Sequence, residues 1–213
     1  MPVEIKDVSD TDICTLVTIH NQAFPGFFLT SLGSAFLSLY YRTVKKSSKG
    51  ILLGYYREGR LLGFCAATMK SASFHSQLIK ENLFAYILMA FRLLLTNPGA
   101  IVHLYKNLAK RGGVFDDAGE YAELLSIGVD IDYQRSGIGK ALLCELEQVI
   151  VGKGGKVISL TTDYDDNAKA QGFYSSLGYR VYYDFIAYPQ RKMYRYITVS
   201  YTHLRAHETR HDL

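Results

Sequence analysis

Three observations predict an α/β fold built around one central sheet. Segments with strand-like and helix-like patterning alternate through the second half of the 213-residue chain, as they do where helices cover a sheet. A strand, a glycine loop and an amphipathic helix follow one another without a break in "VDIDYQRSGIGKALLCELE", Val129 to Glu147. No composition shift divides the chain, so residues 1–198 read as a single domain that carries a helical insertion over 71–113.

"VEIKDV" alternates as an opening strand, and Ser9 or Asp10 is placed to cap a helix running through Ile13, Leu16, Val17 and His20 to Ala23. "FPGFFLTSLG" breaks that pattern. A second amphipathic helix follows over about Ser34 to Lys46, with Phe36, Leu37, Tyr40, Tyr41 and Val44 on one side. "GILLGYYREGRLLGFCAAT" reads as two strands joined at Glu58-Gly59, where the glycine can take positive φ.

The insertion carries two helical stretches separated by the stop signal Asn97-Pro98-Gly99. Its apolar run, Leu83 to Leu95, is too short to cross a bilayer and contains Arg92, so a buried or interface helix is expected and no membrane span. "YAELLSIGVD" is the next strand, and the helix after the glycine loop should close near "GKGG", Gly152 to Gly155. "KVISLTTD" is strand again, "NAKAQGFYSSLG" a short helix ended by Gly178, and "YRVYYDF" and "RKMYRYI" are the last two strands.

"VSYTHLRAHET", Val199 to Thr209, reads codon by codon as the translation of a transposon-type sequencing adaptor, so 199–213 is taken as a non-native tail. The spacing of His203, His207 and His211 is accordingly not read as a metal site. The net charge is only +4 and the lysines and arginines are scattered, which argues against nucleic acid as a partner. Cys14, Cys65 and Cys144 are odd in number and far apart, so neither a disulfide framework nor a metal cluster is expected. With no signal-peptide pattern at the start, a reducing, cytoplasmic setting fits best.

The glycine loop is where chemistry is expected. A strand-to-helix junction of this kind gathers unpaired backbone N–H groups and the positive end of a helix dipole in one small volume, which suits a phosphate. A dinucleotide fingerprint is one reading of "GIGKAL", with Asp163 as the ribose acid, but Leu142 stands where its third glycine belongs and the loop comes late in the chain, after a hairpin.

The residues also resemble a known family, the GNAT N-acetyltransferases. "VDIDYQRSGIGKALL" is similar to that family's acyl-CoA loop, Q/R-x-x-G-x-G/A, through Gln134, Gly137 and Gly139, and "NAKAQGFYSSLGY" is similar to its second signature. The two motifs lie about thirty residues apart with a strand between them. The resemblance covers nearly the whole chain apart from the insertion and the tail.

It implies a GNAT acyl-CoA N-acyltransferase fold, with a mixed central sheet splayed between the fourth and fifth strands. The backbone of about Arg135, Ser136, Gly137, Ile138, Gly139 and Lys140 would hold the CoA pyrophosphate, and pantetheine would lie in the gap against main-chain groups of the fourth strand, Ile127 and Val129. A Cβ at Gly137 or Gly139 would hold the phosphate away or obstruct the turn. Asn167 would reach the pantetheine or phosphate arm, cap the short helix, or do both.

Roles for side chains follow from the same resemblance. Tyr174 corresponds to the tyrosine near the CoA sulfur and would hydrogen-bond or protonate the leaving thiolate, unless it only packs. Glu123 is the preferred base for the amine and Glu120 the second, the alternative for each being a solvated carboxylate at a strand end. A backbone N–H near Ser126 or Ile127 would polarise the thioester carbonyl, and Asp163 or Asp165 could meet a cationic substrate. Phe24, Phe27 and Phe28 either wall the acceptor pocket or close the core, and the insertion would form a lid or a homodimer surface.

The function implied is transfer of an acetyl or other short acyl group from acyl-CoA directly to a primary amine of a small molecule, an amino sugar being one candidate. Acetyl-CoA is then the donor substrate and no metal is needed. None of the cysteines is placed to carry a covalent acyl group. A catalytically silent acyl-CoA-binding module on the same fold is the alternative.

Overall fold

The computed structural model describes residues 3–99, 117–187 and 190–199. The second helical stretch expected in the insertion and most of the supposed tail lie outside the described residues.

The described elements are β1 (Val3–Asp7), α1 (Ile13–Ala23), α2 (Phe28–Ser31), α3 (Ser34–Lys46), β2 (Gly50–Arg57), β3 (Arg60–Thr68), α4 (Phe74–Glu81), α5 (Leu83–Thr96), β4 (Ala122–Val129), α6 (Ile138–Gly152), β5 (Val157–Asp163), α7 (Ala168–Ser176), β6 (Arg180–Ala187) and β7 (Arg191–Val199). The strands form one sheet in the order β1-β2-β3-β4-β5-β7-β6. Every neighbouring pair is antiparallel except β4 and β5, which run parallel. The sheet is therefore mixed, as expected.

That parallel pair is short. Ala122 to Leu124 align with Ile158 to Leu160, and beyond this the strands part, although β4 continues to Val129 and β5 to Asp163. In β3 and β4 the register shifts at Ala66/Ala67, so that Leu125 is left unopposed as a β-bulge. The bulge bends β4 at the point where the gap opens.

Two cores sandwich the sheet. On one face the apolar sides of α1 and α3, with Phe36, Leu37, Tyr41 and Val44, pack on Leu52, Phe64 and Ala66. On the other, Ile138, Leu142, Leu143, Leu146 and Ile150 of α6 pack on Leu62, Cys65, Ala67, Leu124 and Ile158. Alternation along β3 sends its side chains to the two cores in turn. Helix α6 approaches the sheet closely at Gly63, where an added Cβ would come within 2.9 Å of Ile138 Cγ2. That contact fixes where the helix begins.

Three local expectations are corrected. Ser9 caps nothing by its side chain; its hydroxyl donates to Asp12 Oδ2 at 2.7 Å in a 3-10 turn ahead of α1. "FPGFFLTSLG" contains the one-turn helix α2. The first stretch of the insertion is two helices, divided at Asn82, whose N–H and side-chain amide both donate to the Leu78 carbonyl, at 3.2 and 3.0 Å. At the end of β7, Val199 pairs with Val157.

Candidate active site

The gap between β4 and β5 opens into a cavity of about 630 Å³. Its floor is made by Leu124, Leu125, Ser126 and Ile127 of β4 and by Leu160 to Asp163 of β5. His20, Phe24, Phe27 and Phe28 also line it, as do Asn167, Ala170 and Tyr174 from the start and body of α7 and Arg191 and Met193 of β7.

The main chain supplies the polar edge of this gap. Asp130 N–H donates to Leu62 C=O at 2.9 Å, so strand alternation turns the amides of Gly128 toward β3 and those of Ile127 and Val129 the other way. Pairing with β5 has already ended at Leu124. Ile127 and Val129 thus present an unpaired strand edge to the gap, open to an extended ligand.

The glycine loop lies at the same end of β4. Arg135 and Gly137 both have positive φ, 62° and 83°, and Gln134, Arg135, Ser136 and Gly137 are exposed. Ala141 N–H bonds Gly137 C=O at 3.0 Å, which leaves the N–H groups of Ile138, Gly139 and Lys140 without an intrahelical acceptor. No side chain caps this helix. The exposed side chains of Arg135 and Lys140 add positive charge to the helix N-terminus.

The two glycines serve different needs. At Gly137 a Cβ would meet nothing within 4 Å, and the left-handed backbone is what favours glycine. At Gly139 the backbone is helical, and the nearest atoms to an added Cβ, Phe173 Cζ and Val129 Cγ2, are 3.8 and 3.9 Å away. The fold itself does not require glycine there; close approach of a ligand to the helix would.

Asn167 occupies the N-cap position of α7 but makes no capping bond. Its amide nitrogen donates to Thr162 Oγ1, which leaves the side-chain carbonyl free to accept from a ligand in the gap. Tyr174 is buried, lines the cavity, and is kept protonated by desolvation, which pushes its phenol well above the usual tyrosine range. It can donate a proton but not accept one at neutral pH.

The carboxylates expected to act near the acceptor are placed differently. Glu123 accepts from Arg195 Nη1 at 3.0 Å and from the Ser71 hydroxyl, and it lies outside the cavity wall. The reason is the sheet: Glu123 precedes the bulge and points to the face that Arg195 crosses from β7, where Asp117, Tyr121 and Tyr183 also gather. Glu120 is exposed and paired with Lys70 at 2.7 Å. Asp163 does line the cavity but is bound in a fork by Arg191, with Arg191 Nε 2.8 Å from Oδ1. Asp165 is exposed.

Two residues to which the sequence assigned no chemical role, Arg191 and His20, complete the cavity. Arg191 lies over the Phe27 ring, 4.5 Å from its centroid, and so ties the "FPGFFLT" segment to β7. His20 is 2% exposed, and its Nδ1 is 2.7 Å from the Tyr41 hydroxyl. That hydroxyl is in turn 3.0 Å from Ser126 Oγ. A histidine inside an otherwise apolar helix face was the available signal. None of Cys14, Cys65 and Cys144 lines the cavity, and burial pushes the Cys65 thiol up to about 12. Among the described residues no group of three or more His, Cys, Asp and Glu could hold a metal ion, and no helix is long and apolar enough to cross a membrane.

Comparison with known proteins agrees with this fold. A putative acetyltransferase of the GNAT family from Desulfovibrio desulfuricans superposes with a TM-score of 0.62 at 15% identity, over 93% of this chain and 99% of that one. The ribosomal-protein-S18-alanine N-acetyltransferase from Escherichia coli gives 0.57 at 17% identity, over 93% and 94%. Arabidopsis thaliana NAA60 in complex with acetyl-CoA gives 0.59 at 17% identity, over 93% and 98%. No curated protein matches the sequence. Residues 15–179 match the Acetyltransferase (GNAT) family, and with the splayed β4–β5 pair and the open glycine loop already described, the chain belongs to that family.

Proposed function

We propose that this protein transfers an acetyl group from acetyl-CoA to a primary amine of a small molecule, with an amino sugar as the favoured acceptor class. The observation that carries the reading is continuity. An exposed N–H-rich loop, an unpaired strand edge and a partly aromatic cavity follow one another along β4.

In this reading the pyrophosphate rests on the N–H groups between Arg135 and Lys140, supported by Gly137 and Gly139. Pantetheine runs along the Ile127 and Val129 edge, with the Asn167 carbonyl accepting from one of its amides. The thioester then lies beside the bulge, where a β4 N–H can stabilise the developing oxyanion. Tyr174 donates to the sulfur as the C–S bond breaks. The amine attacks the thioester directly, and the aromatic wall of Phe24, Phe27 and Phe28 favours its uncharged form. The same rings offer flat apolar surface to the carbon face of a sugar, while Thr161 and Thr162 offer hydroxyls.

One observation favours the competing reading of a silent acyl-CoA-binding module. Glu123, the base suggested by the sequence, is tied to Arg195 and Ser71. Calorimetry of the full chain with acetyl-CoA, followed by thiol release with a panel of amino sugars, polyamines, lysine and peptide N-termini, separates the two. Binding with turnover of one amine class is the expected result. Binding without turnover would leave the module, and absence of binding would overturn both.

A further inference from the structure

The cavity lacks an obvious group to take the proton that the attacking amine must lose. Its wall contains one nitrogen that fits. His20 Nε2 has no hydrogen-bond partner among the described residues, although the ring is 2% exposed and forms part of the cavity wall. An orphaned polar atom this deeply buried is uncommon and costs free energy unless a ligand satisfies it.

We propose that His20 is the general base of the acceptor site, its Nε2 taking the proton from the amine nitrogen as the C–N bond forms. The inference rests on the acyltransferase reading above and supplies the base that reading lacks.

The surroundings select the required tautomer. An unpaired buried N–H is rarer than an unpaired acceptor, so the proton of the neutral ring belongs on Nδ1, which donates to the Tyr41 oxygen. The Tyr41 O–H then donates to Ser126 Oγ. Tyr41 and Ser126 are positioning residues: they hold the ring and leave the Nε2 lone pair unused. Phe24 and Phe64 pack on the same ring, at centroid distances of 4.8 and 6.4 Å, and keep it from turning.

The protons balance. The neutral amine adds to the thioester carbon, the carbonyl electrons move to oxygen, and the nitrogen, now positive, releases its proton to His20 Nε2. When the carbonyl re-forms, the C–S bond breaks and its electron pair leaves on sulfur, which Tyr174 protonates. The phenolate and the imidazolium then return to their resting states with one net proton passing between them through the cavity. Burial lowers the His20 pKa to about 4, so the ring is neutral at physiological pH and its Nε2 lone pair is unprotonated. Tyr41 behind it and Tyr174 across the cavity are both neutral there, and the charged Asp163 and Arg191 neutralise each other.

Two measurements test this. Nitrogen NMR of the full chain labelled at histidine should show, at pH 7, a neutral His20 with the proton on Nδ1 and Nε2 bare; a protonated Nε2 would overturn the proposal whatever the substrate. With the best amine of the panel, His20→Gln should lower kcat by about 100-fold or more while acetyl-CoA affinity stays within about twofold. Tyr41→Phe should lower kcat by about tenfold through loss of the tautomer bias. Unchanged kcat in a folded His20→Gln chain that binds acetyl-CoA would rule His20 out. If the wild-type chain turns over no amine, it is the acyltransferase reading that fails, and the nitrogen spectrum still decides the state of His20.

Discussion

The two ends of the β4–β5 gap are built from different materials. At the glycine-loop end the functional groups are main-chain N–H and C=O, presented by a loop, a helix start and a strand edge within residues 127–140. At the far end they are side chains brought from α1, α3, β4, β5, α7 and β7: His20, Tyr41, Ser126, Asp163, Tyr174 and Arg191. A backbone site tolerates almost any side chain that preserves the local conformation, whereas a side-chain site depends on single atoms. Substitutions at the two ends should therefore fail in different ways.

The largest effect is expected at the side-chain end. Tyr174→Phe removes one hydroxyl from a buried ring that otherwise keeps its contacts with Phe173, Tyr179 and Tyr196. The kcat should fall by about 100-fold with acetyl-CoA affinity nearly unchanged, measured by steady-state thiol release beside calorimetry. A fall in affinity alone would make the phenol a binding group and blur the division between the ends.

At the backbone end the expected signature is the reverse. Gly139→Ala places a methyl where the nearest atoms are 3.8 Å away, and alanine is the better helix former by about 1 kcal/mol. The melting temperature should hold or rise while acetyl-CoA binding weakens by about tenfold. Gly137→Ala is a poorer probe, because φ of 83° makes it strain the loop as well. Unaltered binding in Gly139→Ala would mean that no phosphate approaches this helix turn.

This division also explains what could be read from the sequence. The order of elements and the glycine loop were legible because local patterning encodes them: Ile138, Leu142, Leu146 and Ile150 mark α6, and "SGIG" marks its start. The expectation for Ile127 and Val129 came from the family resemblance, and the unpaired edge they present depends on where the β4–β5 pairing ends. The partners of Glu123 are not legible locally, because a single bulge at Leu125 decides which face β4 presents and the Arg195 that binds it comes from a strand 72 residues away. His20 looked like one more member of an apolar helix face, since nothing local announces that Tyr41, 21 residues on, will meet its ring. Long-range partners decide side-chain sites, and periodicity carries no information about them.

A third prediction concerns acid. The folded-state pKa of His20 lies below the ordinary 6.5, so as pH falls the unfolded chain takes up this proton first and stability declines from about pH 6.5 down through the folded pKa near 4. Between pH 7 and 5.5 the wild type should lose about 1 kcal/mol more than His20→Gln, read from urea unfolding at each pH. The neighbouring phenols of Tyr41 and Tyr174 stay neutral over this range and add nothing to the difference. Parallel pH curves would mean that His20 is as readily protonated in the folded state as in the unfolded chain.

The smallest expected effect asks what Arg191 does. Its guanidinium is a third exposed, is forked onto Asp163, and covers Phe27, so in the structure it already has partners on two sides. A partly exposed pair of this kind contributes about 1 kcal/mol or less. If Arg191 only braces the aromatic segment against β7, Arg191→Leu should keep its apolar cover of Phe27, leave kcat intact and raise the acceptor KM by about threefold. A rise of about 100-fold, confined to acceptors that carry a carboxylate or phosphate, would instead show that the guanidinium exchanges Asp163 for an anionic group on the substrate. The acceptor would then be an acidic amine, recognised at the side-chain end by a charge that the free protein keeps neutralised.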